Sequence, residues 1–169
     1  MRLPSADLGL MAEHLAVHEG VISKLKSYYM TVNSPILKNL LEVHVNVLRS
    51  HVRVMLSLID PYQDRAYHLD NVEKVSVKIN DEEFSNQEKE ITLEARSTAK
   101  FMASDNFMSA LMMKNSAVKH VHFEMALQDV GLQSLYTNVL HQIHGEFTPK
   151  ASDEMQVLTY KKYYHVMNE

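Results

Sequence analysis

Two stretches of this chain carry histidine on the apolar seams of segments whose spacing predicts helices, and that combination constrains the fold most. The first seam reads Leu8, Met11, Leu15, His18, Ile22, Leu25 and Tyr29; the second reads Leu37, Leu41, His44, Leu48, His51, Met55 and Leu58. Both advance by alternate steps of three and four residues, the repeat of helices packed side by side in a bundle. An imidazole in such a seam is costly unless its ring nitrogens are satisfied, so the pattern implies buried hydrogen-bond partners or a metal ion.

The remaining composition narrows the class. A chain of 169 residues that is 46% hydrophobic can bury one sizeable core, which predicts a single domain over 1–169. Four glycines, four prolines and eleven methionines suit long helices and argue against a turn-dense β architecture, so the expected class is all-α. With Lys plus Arg at 17 against Asp plus Glu at 21, no basic field exists to hold nucleic acid or an anionic membrane. The absence of cysteine removes disulfides, thiolate metal sites and cysteine nucleophiles. The opening Met1-Arg2-Leu3-Pro4-Ser5 has no signal-peptide core and no run of about 18 apolar residues follows, which predicts cytoplasmic synthesis.

Start and stop signals divide the chain into four long helices. Ser5 is the expected cap of a first helix over about 5–32, with Asp7 favourable in its first turn. Asn33 ends it, and Ser34-Pro35 restarts a second helix over about 34–60, which makes the two an antiparallel hairpin. Residues 61–85 break the period: Val75, Val77 and Ile79 alternate with Lys74, Ser76 and Lys78, as a short edge strand or an extended crossover would. Ser85 with Glu88 forms a capping box for a third helix over about 86–114. A fourth runs over about 116–147, kept whole through Gly131 because Val118, His122, Met125, Asp129, Leu132, Tyr136, Val139 and Ile143 continue one seam. Asn33-Ser34-Pro35 is echoed by Asn115-Ser116-Ala117, as if a helical hairpin were repeated. Ser152 caps a short tail helix over about 152–167, on which Tyr160, Tyr163 and Tyr164 form a stripe that must meet either the bundle or a partner.

Two hairpins joined by a long crossover form the ferritin-like up-down four-helix arrangement, whose members often hold two metals through Glu-x-x-His motifs. No glutamate here is followed three residues later by histidine, and phosphate-loop, dinucleotide, nucleophile-elbow and His-Glu-x-x-His patterns are absent, so no enzyme class gains support. A single-ion site remains open. His14 and His18 share a helical face, and His51 lies about as far beyond the Asn33 turn as His14 lies before it. If helix three runs parallel to helix two, Asp105 reaches the same layer as a ligand or an orienting partner. Otherwise these side chains hydrogen-bond one another and fill the seam, and no cofactor is expected. His120, His122, His141 and His144 read as surface imidazoles; Glu13, Glu19, Glu42 and Glu94 as solvated flanks; Met102, Met108, Met112 and Met113 as core filling; and Asp81-Glu82-Glu83 through Glu90 as a solvated helix entrance.

The opening Glu13-His14-Leu15, the turn Asn33 to Glu42, the second hairpin at Asn115 to Val121 and the tyrosine-bearing end resemble the coat F family of bacterial endospore coats. The chain departs from that family in having Gly145-Glu146-Phe147-Thr148-Pro149 after its last long helix and no tryptophan. The resemblance implies a non-enzymatic structural protein, made in the mother-cell cytoplasm and deposited on the spore beside other coat proteins; a dimer formed through a helix face is expected.

Overall fold

A computed structural model describes residues 2–63, 68–72, 75–79 and 84–168. The protein is all-α: α1 (Ser5–Thr31), α2 (Pro35–Ile59), α3 (Asn86–Met112), α4 (Ser116–Gln142), α5 (Asp153–Tyr163) and a closing 3-10 turn (Tyr164–Asn168), with no strand among the described residues. The caps explain most of these limits. Ser34, Ser85 and Ser152 each accept a backbone N–H of the first turn, and Ser85 with Glu88 completes the expected capping box. Asn115 does the same for α4.

Two ends differ from expectation. The residue before α1 is Pro4, with no side-chain cap, and Ser5 is already helical, because proline's fixed φ can sit at the boundary without donating an N–H. Helix α4 stops at Gln142 instead of 147. There His144 adopts a left-handed φ of 49° and the Gly145 N–H turns back to the Leu140 carbonyl, closing the end. Gly131, by contrast, leaves α4 unbroken.

The four long helices pack as neighbours α1 with α2, α3 with α4, α1 with α3 and α2 with α4. Bonds across the last two pairs set direction. Lys24 reaches Thr98 while His14 reaches Ser109, so α1 opposes α3; His44 reaches Tyr136 while His51 reaches Gln128, so α2 opposes α4. Helices α2 and α3 therefore run the same way, and the segment between them must climb the length of a 25-residue helix, about 37 Å. Val72 and Val75 lie over Val43, Val47 and Leu132, while Val77 and Ile79 join the core around Leu41, Leu48 and Tyr136. No strand partner is needed because helix side chains meet the backbone: Gln142 binds Ile79 N–H and the Val77 carbonyl, Ser50 Oγ accepts from Asp70 N–H, and Gln128 donates to the Asp70 carbonyl. Lys74 and Asp81-Glu82-Glu83 lie outside the described residues.

The repeated hairpin has a structural counterpart. Asp7 and Glu88 occupy the third position of α1 and α3, and each carboxylate caps the opposite hairpin's turn. Asp7, fully buried, accepts from the Lys114 and Asn115 N–H groups at 2.8 Å; Glu88 Oε1 accepts from Asn33 and Ser34, also at 2.8 Å, and Oε2 from Ser85. Glu88 is thus a buried brace and not part of a solvated entrance. Removing Asp7 takes an acceptor from two backbone donors and removing Glu88 takes one from three, so Asp7→Ala and Glu88→Ala should each cost about 2–4 kcal/mol in urea unfolding. Helix accounts for 78% of the described residues, so far-ultraviolet dichroism of the full chain should be dominated by helix; a content below about half, against the third typical of globular domains, would contradict the fold.

Candidate functional site

The seams of α2 and α4 are inside as expected, and those of α1 open only at Leu8 and Tyr29. Five imidazoles are consequently enclosed: His14 and His18 from α1, His44 and His51 from α2, and His122 from α4. His122 stands edge-on to His14 with ring centroids 5.2 Å apart, and His18 stands edge-on to His51 at 5.5 Å. Grouping His122 with the surface histidines is therefore corrected. Its neighbours Val118 and Met125 lie on one face of α4, whereas His120, His141 and His144 are exposed.

The four candidate ligands divide into two pairs. His14 Nε2 lies 2.8 Å from Ser109 Oγ and 3.6 Å from Asp105 Oδ2. His18 Nε2 lies 3.4 Å from His51 Nδ1. The His14 and His18 rings are 6.3 Å apart, and among the described residues no three His, Asp or Glu side chains converge on one ion position.

Carbonyl partners anchor the other ring nitrogens. His18 Nδ1 donates to the His14 carbonyl at 2.7 Å, His122 Nδ1 to the Val118 carbonyl at 2.9 Å, and His51 Nε2 to Gln128 Oε1 at 2.9 Å. His44 pairs with the buried Tyr136 hydroxyl at 3.1 Å. His14 Nδ1, His44 Nε2 and His122 Nε2 have no hydrogen-bond partner among the described residues. Beside them Asn106 donates to Asp129, both fully buried on α3 and α4. Ser109, Gln128 and Tyr136 are the side-chain partners that the histidine seams demanded and that spacing alone did not identify.

Burial sets the charge of this column. Desolvation lowers the pKa of His18 and His122 to about 4 and of His44 and His51 to about 3; it also lowers that of His14, against the pull of Asp105. Desolvation raises Asp129 to about 8, so that at neutral pH it is a protonated acid. The rings are neutral bases, the state in which imidazole coordinates metal. Ser109 Oγ and Asp105 Oδ2 both approach His14 at Nε2, so the carboxylate does not orient the ring from its other nitrogen, and Glu13, Glu19, Glu42 and Glu94 are exposed.

The outer surface of α3 departs from expectation. Met102 and Met113 are buried, but Met108 and Met112 are about half exposed, because they share the outward stripe with Phe101 and Leu111 while the inward stripe carries Asn106 and Ser109. Phe107 pairs with Phe123 of α4 at 5.4 Å along a groove that also includes Leu127 and Val130. The tail is likewise open: Tyr160, Tyr163 and Tyr164 are 64%, 56% and 48% exposed, and no residue of α5 is buried.

Comparison with family models, with curated proteins and with solved structures finds no significant match.

Five buried bases with lowered pKa values make the fold acid-sensitive. Between pH 6.5 and about 4 the unfolded chain binds four protons that His18, His44, His51 and His122 refuse in the folded core, with His14 shifted in the same direction, while Asp129 offsets one by holding a proton only when folded. Three net protons make stability fall by about 4 kcal/mol per pH unit across the steepest part of that window, at about 1.4 kcal/mol per proton. Dichroism should therefore show cooperative unfolding between pH 6 and 4; a helix signal and urea midpoint unchanged down to pH 4 would contradict the buried neutral column.

Proposed function

We propose that the protein is a non-enzymatic structural or assembly component of the bacterial endospore coat, folded as a ferritin-like up-down bundle and self-associating as a dimer. The observation that carries the assembly reading is the pair of uncovered apolar surfaces on an otherwise well-packed molecule. One is the α3–α4 face of Phe101, Phe107, Met108, Leu111, Met112 and Leu127; the other is the tail with Met155, Leu158 and its tyrosines. Contiguous apolar patches of this kind mark interaction sites. A second copy presenting the same α3–α4 face about a two-fold axis would cover it self-complementarily. The coat assignment rests on the sequence likeness, chiefly the Asn33 to Glu42 turn and the tyrosine-bearing end. The antiparallel pairing of α1 with α3 and α2 with α4 supports the ferritin-like reading.

The tail, having no contact face on its parent bundle, is assigned to a neighbouring coat subunit. Truncation at Lys150 should leave the melting temperature within about 2 °C of the full chain while reducing higher-order assembly or deposition on spores of a spore-forming host. Leu127→Glu with Phe107→Glu should convert a sedimenting dimer to monomer with the helix signal intact. A full chain that sediments as a monomer at every concentration and fails to localise to spores would overturn this reading.

The buried imidazoles favour a second reading, a divalent-metal-binding bundle that uses His14, His18, His51 and Asp105. Elemental analysis of the purified, tag-free protein after dialysis tests it: a stoichiometric metal supports the reading, and none, before or after incubation with zinc, nickel and iron, removes it.

A further inference from the structure

Hydrogen-bond chemistry fixes the tautomers of His18 and His51 and leaves them in conflict. A backbone carbonyl only accepts, so the 2.7 Å contact from His18 Nδ1 to the His14 carbonyl requires the proton on Nδ1 and leaves Nε2 a bare lone pair. Gln128 is oriented by its own bond: its amide nitrogen donates to the Asp70 carbonyl at 2.8 Å, so the oxygen faces His51. That oxygen needs a proton on His51 Nε2, which leaves His51 Nδ1 bare as well. These two bare nitrogens face each other at 3.4 Å, on side chains that are fully buried. A proton enters the gap in a neutral pair only if one ring gives up its bond to a carbonyl.

We infer that His18 Nε2 and His51 Nδ1 form the protein side of a binding site for one zinc-like divalent ion held between α1 and α2. This rests on the metal-binding reading and narrows it, since His14 is turned toward Ser109 and Asp105 and is no part of the grip. The spacing fits: with metal–nitrogen bonds of about 2.0–2.1 Å, two ligands at a tetrahedral angle stand about 3.3–3.4 Å apart. The orientation fits too, because metal-binding histidines characteristically donate their other N–H to a carbonyl oxygen. His18 does so to the His14 backbone and His51 to Gln128. A second observation points to a ligand in the same core: His122 repeats the arrangement, with Nδ1–H on the Val118 carbonyl and a buried Nε2 without a partner among the described residues. Neutral imidazoles select zinc, nickel, copper or iron over magnesium or calcium.

Calorimetric titration of the full chain with zinc, repeated with cobalt and followed by its visible absorption, tests the pair. One ion per chain is expected, lost in His18→Ala and in His51→Ala and retained in His14→Ala. Gln128→Leu keeps both ligands while removing the orienting carbonyl, so it should weaken affinity about 10–100-fold and provides the test if a histidine variant fails to fold. No binding by the wild type overturns both the pair and the metal reading. Binding that survives loss of His18 and of His51, or that disappears equally in His14→Ala, overturns the pair alone and returns the ion to the wider histidine set. Binding unaffected in Gln128→Leu also overturns the pair as drawn.

Discussion

Enclosing five neutral imidazoles in the core is the constraint on which the rest of the structure depends. A bundle of this size could bury leucine at those positions without any demand on its neighbours. Each histidine instead requires a carbonyl, hydroxyl or amide at hydrogen-bond distance, and those come from three of the four long helices: Ser109 from α3, Gln128 and Tyr136 from α4, and the backbones of α1 and α4 themselves. Buried polar partners penalise any register in which they miss, so the column specifies how the hairpins meet. Gln128 illustrates the coupling, because the same amide that orients His51 also holds the crossover at Asp70.

The reciprocal carboxylates extend that specification to the ends. Asp7 ties the start of α1 to the α3–α4 turn, and Glu88 ties the start of α3 to the α1–α2 turn, so each hairpin completes the backbone hydrogen bonding of the other. Burial opposes the charge on Glu88, but the N–H groups of Ser34, Ser85 and Asn33 outweigh it and hold its carboxyl below the usual range. The histidines do not follow this internal symmetry, since the α3–α4 hairpin supplies only His122 to the column. One repeated scaffold thus carries one unrepeated polar core.

What was legible in the sequence follows from how local each signal is. Ser34-Pro35, Ser85 with Glu88, and Ser152 act within one helical turn and read directly, as do the seams of α2 and α4, whose inward faces are mostly large and apolar. Helix α3 hides its inward face, because Ala95, Ala99, Asn106 and Ser109 are small or polar while Phe101, Met108 and Leu111 point outward. Its methionines therefore suggested a core that only Met102 and Met113 enter. The braces formed by Asp7 and Glu88 join residues over a hundred and over fifty positions apart in sequence, and no local pattern encodes such a contact. His122 was the avoidable loss: it stands in the α4 seam, but His120 beside it lent both a surface reading.

An inward stripe of polar groups on α3 and an outward stripe of apolar ones divide that helix, because the first meets the histidine column through Ser109 and the second leaves Phe101, Met108 and Leu111 exposed. The central claim concerns the column. Long-range proton–nitrogen correlation of the imidazoles in metal-free protein at pH 7 tests it most directly, since ring nitrogen shifts report tautomer and charge. The structure predicts neutral rings, with the proton on Nδ1 in His18 and His122 and on Nε2 in His51. An imidazolium at any of the three, or His18 carrying its proton on Nε2 toward His51, would contradict it.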